Sequence, residues 1–425
     1  TDITRLSDPN LMNDPNLTVT SDVVLETGSN GGSWTPPAGF LERDITYVWR
    51  VDEKLTDGTI VTGYNWAFST ILSVPNITAE LPADTAVGIG EYAELAVDAT
   101  NPFTQDSTGL SYQWMYSPDG VTYSAVGTNS PILAIASAQA ADQGYYYCEV
   151  TIDSNGKTES SRTAFLIIKQ TLAHWTMDQA DYVNGLYLDI AGTNDAEPNS
   201  TPTFVEGAGP DMPAEGAAVI APDSYGSVGT WNPSETTSQI TLSAWIKWDG
   251  TMDQYGNNIL GKRDSWGTDT MMWDLRIRDV AGNGNAGVRF YNASGMSVWP
   301  QGVIPPNTWT HVCAVYGSGQ AQVYVNGVLE GTDTSAAFGT GTGSELAVGG
   351  TTIFPGAMDE VMIHNYAMDA EDVATLYYQT SKEAICVYPP VIDLNNDCET
   401  NLLDLAILAE NWLECGKAPA EDCFQ

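Results

Sequence analysis

The sequence predicts an all-β protein built of tandem β-sandwiches, with a small helical module at its C-terminal end. Short stretches of alternating apolar and polar residues recur along the chain, separated by Gly, Asn and Asp, and one of the clearest is Gln320–Glu330. Many short strands with regular turn signals are typical of sandwiches and jelly rolls. Helical spacing of apolar residues is almost absent before residue 369. A chain of 425 residues is long enough for three or four such domains.

Residues 1–72 are predicted to form the first domain. Tyr47, Trp49 and Val51 alternate as in a half-buried strand, and Trp66 and Phe68 predict its partner. These two strands resemble the C-terminal part of a fibronectin type III domain.

Too little chain precedes Tyr47 for the complete sandwich that this resemblance implies. We therefore expect an open sheet edge that is filled from outside, by a cleaved upstream segment or by a strand donated by a neighbouring subunit. Head-to-tail donation would build filaments. In the alternative, the domain is complete and Ile3, Leu6 and Leu11 belong to its early strands.

Residues 73–170 are predicted to form the second domain. Trp114 lies in a predicted strand, and Asp142–Cys148 reads Asp-Gln-Gly-Tyr-Tyr-Tyr-Cys. The segment resembles an immunoglobulin-like domain, in which Tyr146 would be the corner tyrosine. Val97 stands where the resemblance implies the second cysteine of the inter-sheet disulfide, so Cys148 is expected to be a buried free thiol.

Residues 171–380 are predicted to form one large β-sandwich. Strands are predicted at Gln239–Trp248, Thr308–Tyr316 and Gln320–Val325, and the Asn326-Gly327 pair predicts a hairpin turn. A short helix is predicted after its cap at Asp369, with Val373, Leu376 and Tyr377 on one face.

Four motifs of this segment occur in the order of a known family: Leu172–Asp178, Trp309–Val312, Val325–Val328 and Gly356–Asn365. In them the segment resembles the laminin-G-like, concanavalin A-type lectin and glucanase domains. The resemblance implies a structural calcium ion between an acid near the first strand and one near the last, here Asp178 and Asp359. Two ordinary capping carboxylates are the alternative.

Residues 385–425 are predicted to form a calcium-binding module. Oxygen-bearing side chains recur at the spacing of a calcium loop that leads into a helix. The predicted ligands are Asp393, Asn395, Asp397, the carbonyl of Glu399, Asn401 and Asp404. The segment resembles one repeat of a type I dockerin, although Cys398 replaces the usual Gly at loop position six and only one repeat is present.

Cysteines are concentrated in the same module, which predicts local disulfides and an oxidising compartment. They are Cys386, Cys398, Cys415 and Cys423. The predicted helix separates Cys398 from Cys415 by about 18 Å, too far for a bridge. We favour Cys386–Cys398 with Cys415–Cys423 over Cys386–Cys415 with Cys398–Cys423. Cys148 and Cys313 are expected to be free and buried.

Tryptophans of the large sandwich are candidates for a sugar-stacking platform, because indole rings match the apolar face of a pyranose. The candidates are Trp248, Trp266, Trp273 and Trp299, with Tyr291 beside them. The alternative is packing in the core or at sheet edges.

A catalytic role is not predicted. Glucanases with this fold need a close pair of acids on one strand face, and no such strand is found. Asp359 and Glu360 are adjacent, so in a regular strand they point to opposite faces. His174, His311 and His364 are scattered among strand motifs.

The charge of the chain limits its partners. There are 54 acidic and 15 basic residues, giving a net charge of −39. This charge disfavours nucleic acid and anionic membranes as partners, whereas divalent cations, neutral glycans and cationic surfaces stay compatible with it. No apolar run is long enough to span a membrane. The chain starts at Thr1, and we expect it to be processed from a longer precursor.

Two functions follow from these observations. The first is a non-catalytic, secreted protein of the cell surface, acting in adhesion or as a scaffold and binding a glycan or a surface protein. The second is the glycan-binding accessory region of a secreted polysaccharide-degrading enzyme.

Overall fold

The chain forms two compact units, Thr1–Ile168 and Lys169–Gln425. The structure, a computed structural model, describes residues 2–6, 46–50, 53–54, 57–61, 63–70, 74–208, 216–220, 225–264, 270–278, 286–292, 295–298, 303–350 and 354–410. In these residues strands predominate and α-helices are limited to two, so the all-β fold class is confirmed. Neither helix is long and apolar enough to cross a membrane.

The first unit consists of short antiparallel strands. They are β1 (Asp2–Leu6), β2 (Thr46–Arg50), β3 (Glu53–Lys54), β4 (Ile60–Val61), β5 (Asn65–Ser69), β6 (Asn76–Ala79), β7 (Asp84–Gly88), β8 (Ala93–Ala96), β9 (Asp98–Thr100), β10 (Leu110–Ser117), β11 (Ser124–Val126), β12 (Ile132–Ile135), β13 (Gly144–Ile152), β14 (Lys157–Ser160) and β15 (Ala164–Lys169).

The chain's own first residues form a strand of the N-terminal sheet. In the order β1-β2-β5, Ile3 pairs with Trp49 and Leu6 with Thr46. Strand β1 therefore occupies one side of β2, which the strand-donation hypothesis expects to be open. The alternative, in which Ile3 and Leu6 belong to an early strand, agrees with this pairing. Leu11 lies outside the described residues. Tyr47 is buried and stacks on Phe68, with ring centroids 5.6 Å apart.

The rest of the first unit is built around one sheet, β11-β10-β13-β15-β7, with β14 also paired to β13. Strands β8 and β12 form a second pair, and β6 pairs with β9. Trp114 lies opposite Cys148 in register, and the Tyr146 hydroxyl donates to the Asp142 carbonyl oxygen at 2.7 Å. These contacts are those expected of the predicted corner, while the family assignment itself stays a prediction.

Cys148 is a free, buried thiol, as predicted. Burial raises the pKa of the thiol to about 12, so the reactive thiolate is scarce at neutral pH. Val97 is also buried in this core. Apolar packing replaces the disulfide that the resemblance implies.

The second unit contains the remaining strands. They are β16 (Thr171–Trp175), β17 (Tyr182–Val183), β18 (Leu186–Tyr187), β19 (Glu197–Pro198), β20 (Thr203–Val205), β21 (Ala217–Ile220), β22 (Gly226–Gly229), β23 (Ile240–Trp248), β24 (Asn257–Arg263), β25 (Met271–Arg278), β26 (Gly287–Asn292), β27 (Gly295–Val298), β28 (Thr310–Gly317), β29 (Gln320–Val325), β30 (Val328–Asp333), β31 (Leu346–Val348) and β32 (Gly356–His364).

Two sheets of these strands enclose one apolar core. Sheet A has the order β20-β21-β32-β23-β28-β29-β30, with β16 also paired to β32, and sheet B has the order β19-β22-β31-β24-β25-β26-β27. Sheet A contributes residues such as Ile246 and Val361 to the core, and sheet B contributes Trp273 and Phe290. This is the jelly-roll sandwich that the sequence predicts.

Helix α1 (Ala370–Ser381) follows the last strand, as predicted. The Asp369 side chain caps it by accepting from the Asp372 N–H at 2.8 Å. Val373, Leu376 and Tyr377 are buried, and the Trp245 indole of sheet A donates to the Thr380 hydroxyl at 2.9 Å. Helix α2 (Leu402–Glu410) follows the predicted calcium loop.

Candidate functional site

The first candidate site is an acidic cluster on the outer side of sheet A. Asp178 lies just after β16, and Asp359 lies in β32 opposite Trp245. The side chain of Asp359 is fully buried. Its Oδ2 accepts from the Ala208 N–H at 2.7 Å.

One oxygen of each carboxylate is buried without a hydrogen-bond partner, namely Oδ1 of Asp178 and Oδ1 of Asp359. An unpartnered buried polar group costs about 1–3 kcal/mol. A water molecule, a proton or a cation would each supply the missing partner.

The pKa values of the cluster also show that its carboxylates lack favourable partners. Burial raises the pKa of Asp359 to about 8, and the charges of Glu360 and Asp178 contribute to the increase. Burial also raises the pKa of Asp178 to about 6, with further contributions from Glu360 and Asp181. The carboxylates thus repel one another in a region of low polarity, and a bound cation would relieve that repulsion.

A bulge in β32 brings Glu360 into the cluster, contrary to the expectation from strand alternation. Met358 and Val361 both face the core although they are three residues apart. Asp359 and Glu360 therefore both lie on the outer side, and Glu360 has a φ of 48°. The Glu360 carboxylate contacts His174 Nε2 at 2.6 Å.

The donor chemistry of this cluster fits calcium, which takes six to eight oxygen ligands. Among the described residues, no three His, Cys, Asp or Glu side chains converge closely enough to hold a metal by themselves. Backbone carbonyl oxygens and water would have to complete the shell.

The second candidate site is the predicted calcium loop. Asp393 accepts from the Asp397 N–H at 3.1 Å with Oδ1 and from the Cys398 N–H at 2.8 Å with Oδ2. At the other end of the loop, Asp404 accepts from the Leu394 N–H at 2.7 Å and from the Asn401 N–H at 2.8 Å. These bonds fold the loop so that its two ends meet.

The Asp404 carboxylate is buried, and the Asn401 N–H is the main cause that lowers its pKa. Asn395 and Asn401 contribute amide oxygens to the same loop. Cys398 at position six has a φ of 68°, the left-handed conformation that Gly supplies in other calcium loops. The oxygen donors and the backbone turn are of the kind that a calcium loop uses, although among the described residues its three aspartates do not converge closely enough to hold a metal by themselves.

A disulfide joins Cys386 to Cys398, with Cα atoms 5.7 Å apart. This confirms the first of the two favoured bridges and excludes the alternative set. Cys415 and Cys423 lie outside the described residues, so their pairing stays a prediction. Cys313 is free and buried, as expected.

The predicted sugar platform is wrong for two of its tryptophans. Trp248 is 1% exposed and Trp273 is 0% exposed. Both side chains point into the core between the sheets, where they cannot stack on a sugar. Trp266 and Trp299 lie outside the described residues.

Sheet B has a polar network on its outer face, which the sequence reasoning missed. Asp274 accepts from Asn258 Nδ2 at 2.6 Å and from Arg276 Nη2 at 2.9 Å, and it pairs with Arg263 at 2.6 Å. Tyr291 lies beside this network, with the Arg276 guanidinium 5.6 Å from its ring centroid.

A sequence signal for this network exists. In β25 the core residues Trp273, Leu275 and Ile277 alternate with Asp274 and Arg276. Strict alternation of this kind predicts an outer polar face.

The side chains of the network are buried, and the Tyr291 side chain is half-buried.

Comparison with known proteins supports the fold of the second unit. Residues 222–374 match the family model of the concanavalin A-like lectin/glucanases superfamily. This segment is therefore a concanavalin A-like domain. A search of curated protein sequences finds no match.

Two solved structures are similar to parts of the chain. Domain 4 of AbnA, a GH43 extracellular arabinanase from Geobacillus stearothermophilus in complex with arabinotriose, is 21% identical with a TM-score of 0.37. That match covers 49% of this chain and 98% of the other. Trypanosoma rangeli sialidase is 12% identical with a TM-score of 0.32, covering 81% of this chain and 80% of the other. Both TM-scores are low, so nothing about ligand or activity follows from these likenesses.

Proposed function

We propose that this protein is a non-catalytic, calcium-stabilised glycan-binding protein that acts outside the cell. The observation that carries the proposal is the concanavalin A-like domain at residues 222–374, a domain type shared by lectins and glucanases. Calcium and the disulfide fit an extracellular setting, where disulfides persist.

We place glycan contact at the outer face of sheet B, beside Tyr291. A sugar presents hydroxyl groups to polar partners and a C–H face to an aromatic ring. Tyr291 is a half-buried ring of this face, and Asp274 holds Arg276, whose guanidinium lies 5.6 Å from the ring centroid. The binding surface would thus combine a partly exposed aromatic ring with a preorganised polar support.

The proposal includes no glycoside hydrolysis. A retaining mechanism needs two accessible carboxyl groups about 5–5.5 Å apart. In the acidic cluster of sheet A, Asp359 is buried and Asp178 and Glu360 are only partly exposed, an arrangement that serves a cation better than a substrate.

The test is binding of the calcium-loaded protein to an array of neutral and acidic polysaccharides, followed by calorimetry on the best ligand. Tyr291→Ala should weaken binding at least about tenfold, since a tyrosine that anchors a binding surface typically contributes about 2 kcal/mol or more. The matched control is Tyr64→Ala, which removes an exposed tyrosine of the first unit. Absence of binding to every glycan, or release of reducing sugar that a single carboxylate variant abolishes, would contradict the proposal.

A surface or adhesion role is the second candidate, and the exposed aromatic residues of β5 favour it. Trp66 is 58% exposed and Phe68 37% exposed, and both lie on one strand face. A neighbouring copy packed against this face would cover them. Light scattering over a range of concentrations should then show self-association that Trp66→Ala reduces, whereas a monomer at all concentrations would argue against it.

A further inference from the structure

The Cys386–Cys398 bridge ties the candidate calcium loop to the segment that follows α1. Its loop end, Cys398, is in the left-handed backbone conformation with φ 68°. A residue with a Cβ atom rarely adopts this conformation by itself, because the Cβ approaches the backbone. Calcium loops normally place Gly at this position.

The backbone of Cys398 also positions the first ligand of the loop. Its N–H donates to Asp393 Oδ2 at 2.8 Å, while the Asp397 N–H donates to Asp393 Oδ1 at 3.1 Å. If Cys398 left the left-handed region, the chain after it would be redirected, and Asp404 would no longer reach the Leu394 N–H, from which it accepts at 2.7 Å. The meeting of the first and last ligands of the loop therefore depends on the conformation that the bridge restricts.

We propose that the bridge is a positioning element of the calcium loop, doing covalently what Gly does elsewhere, so that reduction of the bridge weakens calcium binding. The inference rests on the proposed calcium loop. In the oxidised protein the left-handed turn is largely preformed, whereas in the reduced protein calcium has to select it from a wider set of conformations.

The redox step is an ordinary thiol–disulfide exchange. A dithiol reductant attacks one sulfur and forms a mixed disulfide, and its second thiol then displaces the protein thiol. The bridge gains two electrons and two protons to give two cysteines, and the reductant becomes a cyclic disulfide. The bridge is accessible to such a reagent, because Cys386 is exposed.

Linkage makes the effect reciprocal. If reduction lowers calcium affinity by some factor, bound calcium must disfavour reduction of the bridge by the same factor. Calcium should therefore protect this disulfide from a dithiol. This readout does not depend on glycan binding.

The experiment uses the full chain and two double variants. Cys386→Ser with Cys398→Ala removes the bridge and keeps a Cβ at position six, while Cys386→Ser with Cys398→Gly removes the bridge and supplies the residue that tolerates the turn. Calcium binding to each protein is measured by calorimetry, and the binding heat of Asp393→Ala is subtracted. The difference reports the loop alone, because the Asp178/Asp359 cluster is present in both proteins. We expect about a tenfold loss of affinity in the Ala variant and recovery of most of it in the Gly variant.

The second measurement follows reduction of the wild-type bridge by dithiothreitol, with peptide mapping that assigns the freed thiols to Cys386 and Cys398. Calcium should shift the reduction equilibrium about tenfold toward the disulfide, and Asp393→Ala should abolish the shift. Equal losses in the Ala and Gly variants, or reduction that ignores calcium although the loop binds it, would overturn the inference. If the wild type shows no calcium signal that Asp393→Ala removes, the calcium loop itself fails.

Discussion

Asp359 has one carboxylate oxygen bonded to the Ala208 N–H and the other buried without a partner. Its pKa is about 8 in the folded protein, against about 3.9 in an unfolded chain. Folding therefore favours the protonated form. Without calcium, the stabilisation by this proton is complete below pH 4 and is lost as the pH rises through 8.

We predict that Asp359→Asn stabilises the calcium-free protein at pH 8 by about 1–3 kcal/mol, because it removes a buried charge. The same variant should lose most of the increase in melting temperature that calcium gives the wild type. Thermal unfolding with calcium and with a chelator measures both effects. Glu330→Gln, at an exposed position of β30, is the control and should show neither.

His311 is a second residue whose charge is controlled by burial. It is buried beside the rings of Trp245 and Tyr377, and burial lowers its pKa to about 3. The neutral imidazole of His311 therefore contributes to the stability of the folded protein above the unfolded pKa of about 6.5. This contribution is lost as the pH falls toward 3.

His311→Phe should therefore reduce the acid sensitivity of the second unit. Between pH 7.5 and 4.5 we expect the variant to lose about 2–3 kcal/mol less unfolding free energy than the wild type. Denaturant titration at both pH values tests this. Equal losses in the two proteins would show that His311 is not the acid-sensitive group.

At the scale of elements, the hairpin between β29 and β30 is fixed by two residues. Asn326 has a φ of 48° and Gly327 a φ of 77°, so both residues have the positive φ of the type I′ turn that the Asn-Gly pair predicts. A Cβ on Gly327 would lie 2.9 Å from Ile385 Cγ1 and 3.2 Å from Tyr377. The turn thus requires glycine for its conformation and for the close contact.

We predict that Gly327→Ala lowers the free energy of unfolding by about 1–2 kcal/mol, through the left-handed strain and the crowding together. Gly343→Ala is the matched control, since nothing lies within 4 Å of its Cβ position. Denaturant unfolding of both variants should show a loss only for Gly327→Ala. Equal stability of the two variants would contradict this account.

At the same scale, the sequence pattern predicts the strands but not which of their faces another sheet covers. The β25 alternation predicts a strand with one polar face, but it does not say which face another sheet covers. Trp273 is predicted to belong to a sugar platform, but it lies in the core because sheet A packs on that side. The bulge at Glu360 was likewise invisible, because it arises from pairing with β23 and not from any turn signal in the sequence.

At the scale of the whole molecule, both candidate calcium sites lie in the second unit, Lys169–Gln425. We predict that a chelator destabilises this unit and leaves Thr1–Ile168 unchanged. Hydrogen exchange followed by mass spectrometry, with calcium and with a chelator, should show faster exchange around β16, β32 and the loop at residues 393–404. Faster exchange in β10 and β13 as well would mean that calcium acts on the first unit too.

The sequence by itself determined the fold class, the hairpin turn, the cap of α1, the free thiols and the first disulfide. Each of these depends on local chemistry, such as backbone conformation, alternation or cysteine spacing. Only the tertiary structure decided which faces are buried, that β1 completes the side of β2, and that two carboxylate oxygens near Asp359 are left without partners. These features depend on contacts between segments far apart in the chain, because burial and hydrogen bonding are settled by which surfaces meet.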